Sequence, residues 1–478
     1  MFFGENQVAV FFTRIFRQEQ EQMLETVIIA VYFAVMIAIG IYSRRRAKEA
    51  DDFFVAGRKG STLFITGSLL ATIIGGSAIM VTGKLGFIQG LTGIWWLLVG
   101  SIGLAVLGIF LARKVRGLGL YTLPELVETQ YNARTGFTAS ILIVIAWIGV
   151  IGAQIIAAGT IMDALGIGNT QVWIAVFAVV FVVYTIIGGQ HAIIRTDSIQ
   201  SLIIFAGIII GAVMVLVEVG GIGGLRDLIG PGQFSFPLSS QFDGYELIKL
   251  LLVVGLAYVV GPDMYSRIFC AKDSGTARRS VFWTALLIIP VALGIVLIGM
   301  GAAALYPDIS PGQAFPVIIR EVLPPFLGGI VLAALLCAFM SSADTTLITA
   351  GTILSVDIVG KLKPGLDRQR LLVISRWSIV VMGAAALLLA LYLQDIVDTI
   401  LFAYTVYTGG VIIPVLAGFY RDKLKVTPTG AIAAIIGGGA AALISKLFDI
   451  KYLDVISLGI SAGLLFGVSF LETRLRKH

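Results

Sequence analysis

The chain has 478 residues, of which 58% are hydrophobic and 13% charged, and its mean hydropathy is +0.98. No soluble globular class has that composition, and the many apolar stretches of 18 or more residues specify an all-α polytopic membrane protein whose surroundings are the lipid bilayer. The net charge of +6 marks no nucleic-acid partner, because Lys and Arg gather in alternate short loops, and no obligate protein partner is evident.

Thirteen transmembrane helices are expected in chain order. They cover roughly 24–43, 62–89, 92–112, 136–164, 171–188, 197–218, 245–266, 281–305, 326–356, 371–393, 395–419, 428–446 and 453–471, and are numbered here as spans 1 to 13. A tail at 1–23 precedes them. It carries Phe2, Phe3, Phe11, Phe12 and Phe16 among charges, and suits either the membrane surface or a start-site extension ahead of Met23. The basic loops lie at 44–59, 113–134, 267–279, 361–376, 421–425 and 474–477. In a plasma membrane they put the N-terminus outside and the C-terminus in the cytoplasm. Cys270 and Cys337 lie at different depths, so no disulfide is expected, and two histidines leave little room for a His-rich metal site.

Two spans read as interrupted. Span 2 has Gly75-Gly76-Ser77 near mid-membrane, and span 7 has Gly261-Pro262-Asp263 toward its inner end. Span 2 opens one five-helix block, at 62–218, and span 7 opens a second, at 245–419. Five is odd, so the second block enters the membrane in the opposite sense. Matched breaks in two inverted blocks mark a secondary transporter with its site at the midplane. Span 1 precedes the blocks, and two spans with a short tail follow at 428–478. The outer loop at 219–244 is Gly-rich and reads as irregular. The segment Pro311–Pro325 reads as a short helix across the outer mouth, either a lid or a connector.

Span 9 carries a polar run at bilayer depth, Ala338-Phe-Met-Ser341-Ser342-Ala-Asp344-Thr345-Thr346. Positions 338, 341, 342 and 345 share one helix face. The run suits either close helix packing or a hard monovalent cation. Lys84 lies outward of the break in span 2, and either snorkels to the surface or attracts an anionic solute.

At these residues the chain resembles the sodium:solute symporter family, which has a LeuT-type 5+5 inverted-repeat fold. The resemblance is carried by Asp52-Phe-Phe-Val-Ala-Gly57-Arg58, Thr122-Leu-Pro-Glu125-Leu, Gly188-Gly189 with Arg195-Thr-Asp197-Ser-Ile-Gln200, Gly261-Pro-Asp-Met-Tyr-Ser-Arg267, Ala314-Phe-Pro, Leu323-Pro-Pro and the run from Ala338 to Asp344. It implies sodium-coupled symport of a small organic solute by alternating access, with Na+ as the coupling ion and no enzyme activity. The alternatives are a proton-coupled or uncoupled permease of the same fold, or a membrane sensor.

Matched onto this chain, the family's main sodium site implies backbone carbonyls of Gly76, Ile79 and Ala338 with hydroxyls of Ser341 and Ser342. Ala78 stands where some members have a carboxylate. A second site, present in part of the family, maps to Asp197, Ser341, Asp344 and Thr345. Here Asp344 replaces a hydroxyl, so these acids either bind a second sodium or form a cytoplasmic gate with Arg195 or another basic residue. The solute pocket implied beside the main site draws its candidates from Ser77, Thr82, Trp95, Trp96, Gln154, Tyr258, Tyr404, Tyr407 and Thr408. Trp95 and Trp96 also fit an interfacial belt, and Gln154 also fits a bridge between helices.

Overall fold

A computed structural model describes residues 50–475, apart from 165, 167, 168 and 451, together with a few positions between 27 and 39. The N-terminal tail and all but those few positions of span 1 therefore lie outside the described residues. The described chain is nearly all helix, with two isolated β-bridges. Ten helical stretches in it are long and apolar enough to cross a membrane. Two of these hold more than one crossing. Thr170–Glu218 has 49 residues, roughly 74 Å at 1.5 Å per residue, against a hydrocarbon thickness of about 30 Å. It divides at Gly189, whose φ of 58° and ψ of −175° are non-helical. A Cβ there would also lie 2.6 Å from the Phe53 ring, so backbone and packing both require glycine. The second stretch, Gly76–Gly117, turns at the short helix Gly90–Ile94 between spans 2 and 3. Spans 2 to 13 of the sequence reading are thereby all present.

Span 2 is two half-helices, Thr62–Ile73 and Gly76–Gln89, separated at Ile74 and Gly75. Span 7 is broken in the same way. Gly244–Val259 ends at Val260, and Pro262–Cys270 begins after Gly261. Proline at the first helical position has no N–H to lose and starts the second half. Span 9, Pro325–Thr352, continues through Leu362 and is the most enclosed, with 78% of its membrane window buried inside the protein. Span 13, Leu453–Leu475, has 33% buried and lies at the periphery. The polar run of span 9 is therefore central, and lipid does not reach it.

The loop at 219–244 is more ordered than its glycines suggest. It forms the helix Gly221–Ile229, whose Leu225 is fully buried, and a turn at Pro231–Phe234. An amphipathic face, absent from a count of glycines, decides that outcome. Pro311–Val322 forms a short irregular helix, and its Phe315 packs on Gly83 of span 2.

Gly76 meets span 9 directly. A Cβ there would fall 1.4 Å from the Phe339 ring. Gly76→Ala is therefore expected to destabilise the protein by about 1–3 kcal/mol, read as a lower thermal midpoint in detergent. Phe339→Leu in the same chain should recover part of the loss; two fully additive losses would refute this contact as the cause.

Candidate functional site

A broken helix frees two kinds of group. Its N-terminal half ends in carbonyls with no amide to accept from, and its C-terminal half begins with unpaired N–H groups. In span 2 the carbonyl of Leu70 still accepts from Ile74 at 2.9 Å. Those of Ala71 and Thr72 turn instead to span 9. Ser341 Oγ donates to Ala71 O at 2.9 Å, and Ser342 Oγ donates to Thr72 O at 2.7 Å. Ser341 Oγ also lies 3.2 Å from Ala338 O, and Ser342 Oγ lies 3.4 Å from Ala71 O. Five oxygens from two helices converge, all neutral and all on buried residues. A hydroxyl can rotate to present a lone pair, so this donor set fits a hard monovalent cation.

Of the residues expected at this site, Ala338, Ser341 and Ser342 come together, and Gly76 and Ile79 do not join them. Gly76 begins the second half-helix, so the carbonyls of Gly76 and Ile79 run within its ladder. Ile79 N donates to Gly75 O at 2.9 Å. The expected ligands lay on the amide side of the break, whereas free carbonyls lie on the other. Ala71 and Thr72 take their place.

The second group of residues divides. Asp197 is fully buried and pairs with Arg267, also fully buried, at 3.4 Å. Ser68 Oγ donates to the same carboxylate oxygen at 2.5 Å. Thr345 Oγ1 accepts from Arg267, sits 3.0 Å from Thr72 Oγ1, and donates to Ser341 O at 2.7 Å. Asp344 accepts from Thr185 of span 5 at 3.1 Å through one oxygen, and its other oxygen is buried with no hydrogen-bond partner among the described residues. The basic residue of this cluster is Arg267, not Arg195. It stood inside a noted motif, but sequence spacing could not show that its side chain turns inward.

Beside Ser342 lies a narrow pocket. Its lining includes Thr72, Gly75, Ser77, Trp96, Gln154, Tyr258, Asp263, Ser342 and Tyr404. The free space is about 30 Å³, room for water and too little for an organic solute. Gln154 binds Ser77 twice: its Oε1 accepts from Ser77 N at 3.1 Å, and its Nε2 donates to Ser77 Oγ at 2.7 Å. Asp263 was not among the expected pocket residues. Trp147 Nε1 donates to both of its oxygens, at 2.9 and 3.0 Å.

The remaining candidates, Thr82, Trp95, Tyr407 and Thr408, are not among the residues that line this pocket. Trp95 donates to Pro237 O at 2.9 Å and stacks on Phe236, so it holds the outer loop. Tyr407 donates to Val260 O at the break of span 7, and its ring meets Trp147 edge-on. Thr408 Oγ1 donates to Tyr404 O at 2.7 Å. Thr82 is buried on the second half-helix of span 2, with no hydrogen-bond partner for its hydroxyl among the described residues. Lys84 lies 3.9 Å from Asp395, which caps span 11.

Broken helices, freed carbonyls facing hydroxyls, and a narrow pocket alongside define a secondary active transporter of the bilayer. The chain belongs to the sodium:solute symporter family, whose family model matches residues 53–438. It is 27% identical over 443 residues to the sodium/pantothenate symporter of Haemophilus influenzae, covering 88% of this chain and 90% of that one. It is 25% identical to the osmoregulated proline transporter of Bacillus subtilis, covering 87% of each. A Na+-coupled sialic acid symporter in a substrate-bound outward-open state superposes with a TM-score of 0.81 at 19% identity, over 94% of this chain and 98% of that one. A nucleobase-cation-symport-1 family transporter in a closed conformation gives 0.63 at 12% identity, over 88% and 94%. The fold is the all-α LeuT-type arrangement.

Trp147→Phe keeps a ring against Tyr407 and removes the N–H that both Asp263 oxygens accept from. A buried acceptor without its donor costs about 1–3 kcal/mol. The variant is expected to melt at a lower temperature than wild type, and Trp147→Phe with Asp263→Leu should melt closer to it. Equal melting of wild type and Trp147→Phe would show that this pair holds nothing.

Proposed function

We propose that the oxygens of Ala71, Thr72, Ala338, Ser341 and Ser342 bind the coupling sodium, and that the solute binds in the adjoining pocket of Ser77, Trp96, Gln154, Tyr258, Asp263 and Tyr404, which widens from its present narrow volume to admit it. The chain is a multi-pass membrane protein and a sodium-coupled symporter, so both cargoes need a seat. The observation that carries this reading is the shared wall. Thr72, Gly75 and Ser342 line the pocket, and Thr72 and Ser342 also belong to the oxygen cluster. An ion there orders the wall against which the solute sits, which couples the two bindings in either direction.

The pocket holds a carboxylate, an amide, two phenols and an indole, and no Lys, Arg or His lines it among the described residues. That favours a small solute that donates hydrogen bonds or bears a positive group over one that is only anionic. The five-helix blocks at 62–218 and 245–419 supply the halves that move, with the two breaks as their hinges. One sodium moving down about 100 mV gains roughly 2.3 kcal/mol, and a tenfold gradient adds about 1.4. Together they support roughly 500-fold accumulation of a neutral solute.

The basic loops support an outside N-terminus and a cytoplasmic C-terminus. Protease cleavage of a C-terminal tag only in inverted membrane vesicles is the expected result.

Two measurements test the sites. Ser341→Ala and Ser342→Ala should each raise the sodium concentration for half-maximal uptake at least tenfold (about 1.4 kcal/mol); unchanged sodium dependence in a folded double variant would sink the sodium site. A thermal-shift screen of the purified protein against cationic, zwitterionic, neutral and anionic solutes, with and without sodium, tests the pocket. Stabilisation is expected only in sodium and not from purely anionic compounds.

A further inference from the structure

Two membrane spans of opposite blocks end side by side. Span 3 closes the stretch Gly76–Gly117, which ends in Arg113-Lys114-Val-Arg116-Gly, and span 11, Ile396–Gly418, ends just before Arg421-Asp422-Lys423. Between these ends lies a cleft of about 570 Å³, walled by Leu118, by the helix Leu123–Gln130 and by Gly418 to Lys423. It opens where both spans stop, at the membrane surface, and its volume is that of a small-molecule site rather than an ion site. Basic loop residues are ordinarily solvated and only orient the chain. Here they are placed. Arg421 Nη1 donates to Gln130 O at 2.9 Å, and the guanidinium lies 5.9 Å from the centre of the Tyr131 ring. Lys114 reaches across from span 3, with its Nζ 5.2 Å from the centre of the Tyr420 ring.

We propose that this cleft binds the headgroup of an anionic phospholipid, with Lys114, Arg421 and Lys423 facing its phosphate and Leu118 and Tyr420 against its upper acyl chains. Among the described residues, none of the three basic side chains has an ion pair. Asp422 is the only acid that lines the cleft. The two acids of the helix Leu123–Gln130 are engaged elsewhere: Glu125 accepts from the N–H groups of Tyr121 and Thr122, and Glu128 pairs with Lys361. Both line a different cleft. The positive charge is therefore left for a ligand. Apolar groups stand beside it, because Leu118, Tyr420 and Leu424 are 44–46% exposed. Phe110, Lys114 and Leu118 follow at four-residue spacing, so they share one exposed face of the end of span 3. Basic groups flanked by exposed apolar ones, between two helix ends, meet an anionic headgroup and the chains below it together. A lipid held there bridges the ends of spans 3 and 11, so binding is read as stability.

The test is the thermal midpoint of the purified full chain in nonionic detergent, titrated with phosphatidylglycerol, with phosphatidylcholine of the same acyl chains, or with inorganic phosphate. Phosphatidylglycerol should raise the midpoint, and the other two should not. Lys114→Gln with Lys423→Gln changes two exposed residues and leaves the contact of Arg421 with Gln130 in place. It should raise the half-maximal lipid concentration by about tenfold, and Asp422→Asn should lower it. Arg279→Gln with Lys363→Gln removes the same charge from two other basic loops and should leave the lipid dependence unchanged. Equal stabilisation by phosphatidylcholine, an equal loss in the Arg279 and Lys363 control, or unchanged lipid dependence in Lys114→Gln with Lys423→Gln overturns the proposal. Stabilisation by inorganic phosphate to the same extent makes the cleft a site for a free anion and overturns it as well.

Discussion

A carbonyl released from a helix at bilayer depth has no water to turn to, and that constraint organises this protein. Breaking span 2 at Ile74 and Gly75 strands the carbonyls of Ala71 and Thr72. The hydroxyls of Ser341 and Ser342 take them. Each element explains the other: the break would be costly without the serines, and the serines would be polar groups in an apolar helix without the break. Close approach is possible because glycine stands at the crossing. Gly75 leaves room for the Ser342 hydroxyl, and Gly76 for the Phe339 ring. The result is a seat of neutral oxygens that the protein itself satisfies.

Span 7 solves the same problem with different chemistry. Its freed Val260 carbonyl is taken by the Tyr407 phenol, and Tyr407 packs on the indole that holds Asp263. The two breaks thus face a common pocket from two sides, one by hydroxyls and one by aromatic donors. Beyond the breaks, in the second half of span 7, the contacts become ionic, with Arg267 tying spans 2, 6 and 9 together. Neutral oxygens suit a ligand that must leave, whereas a buried ion pair suits contacts that persist until whole helices separate.

Most of the architecture was legible from residue order. Apolar length specified spans 2 to 13, the glycines at 75, 76 and 261 marked both breaks, and the spacing of 338, 341 and 342 put those residues on one face. Three things were not legible. Motif matching put Gly76 and Ile79 at the ion, although a break frees carbonyls only on its N-terminal side. Arg267 and Asp263 stood within a noted motif, yet their partners are 70 and 116 residues away in Asp197 and Trp147. The outer loop formed a helix because Leu225 found a place in the core.

The sequence by itself determined that this chain lives in a bilayer, where its helices break, and which family of transporters it belongs to. Those properties follow from local apolar length, from glycine and proline chemistry, and from motifs read along the chain. Only the tertiary structure decided which freed carbonyls meet Ser341 and Ser342, that Asp263 lines the pocket while Trp95 does not, and that Arg267 reaches Asp197 and Thr345 while Asp344 accepts from Thr185. The reason is geometric. A helix sets the angle at which each side chain leaves it, but only the packing of one helix on another decides which group that side chain meets.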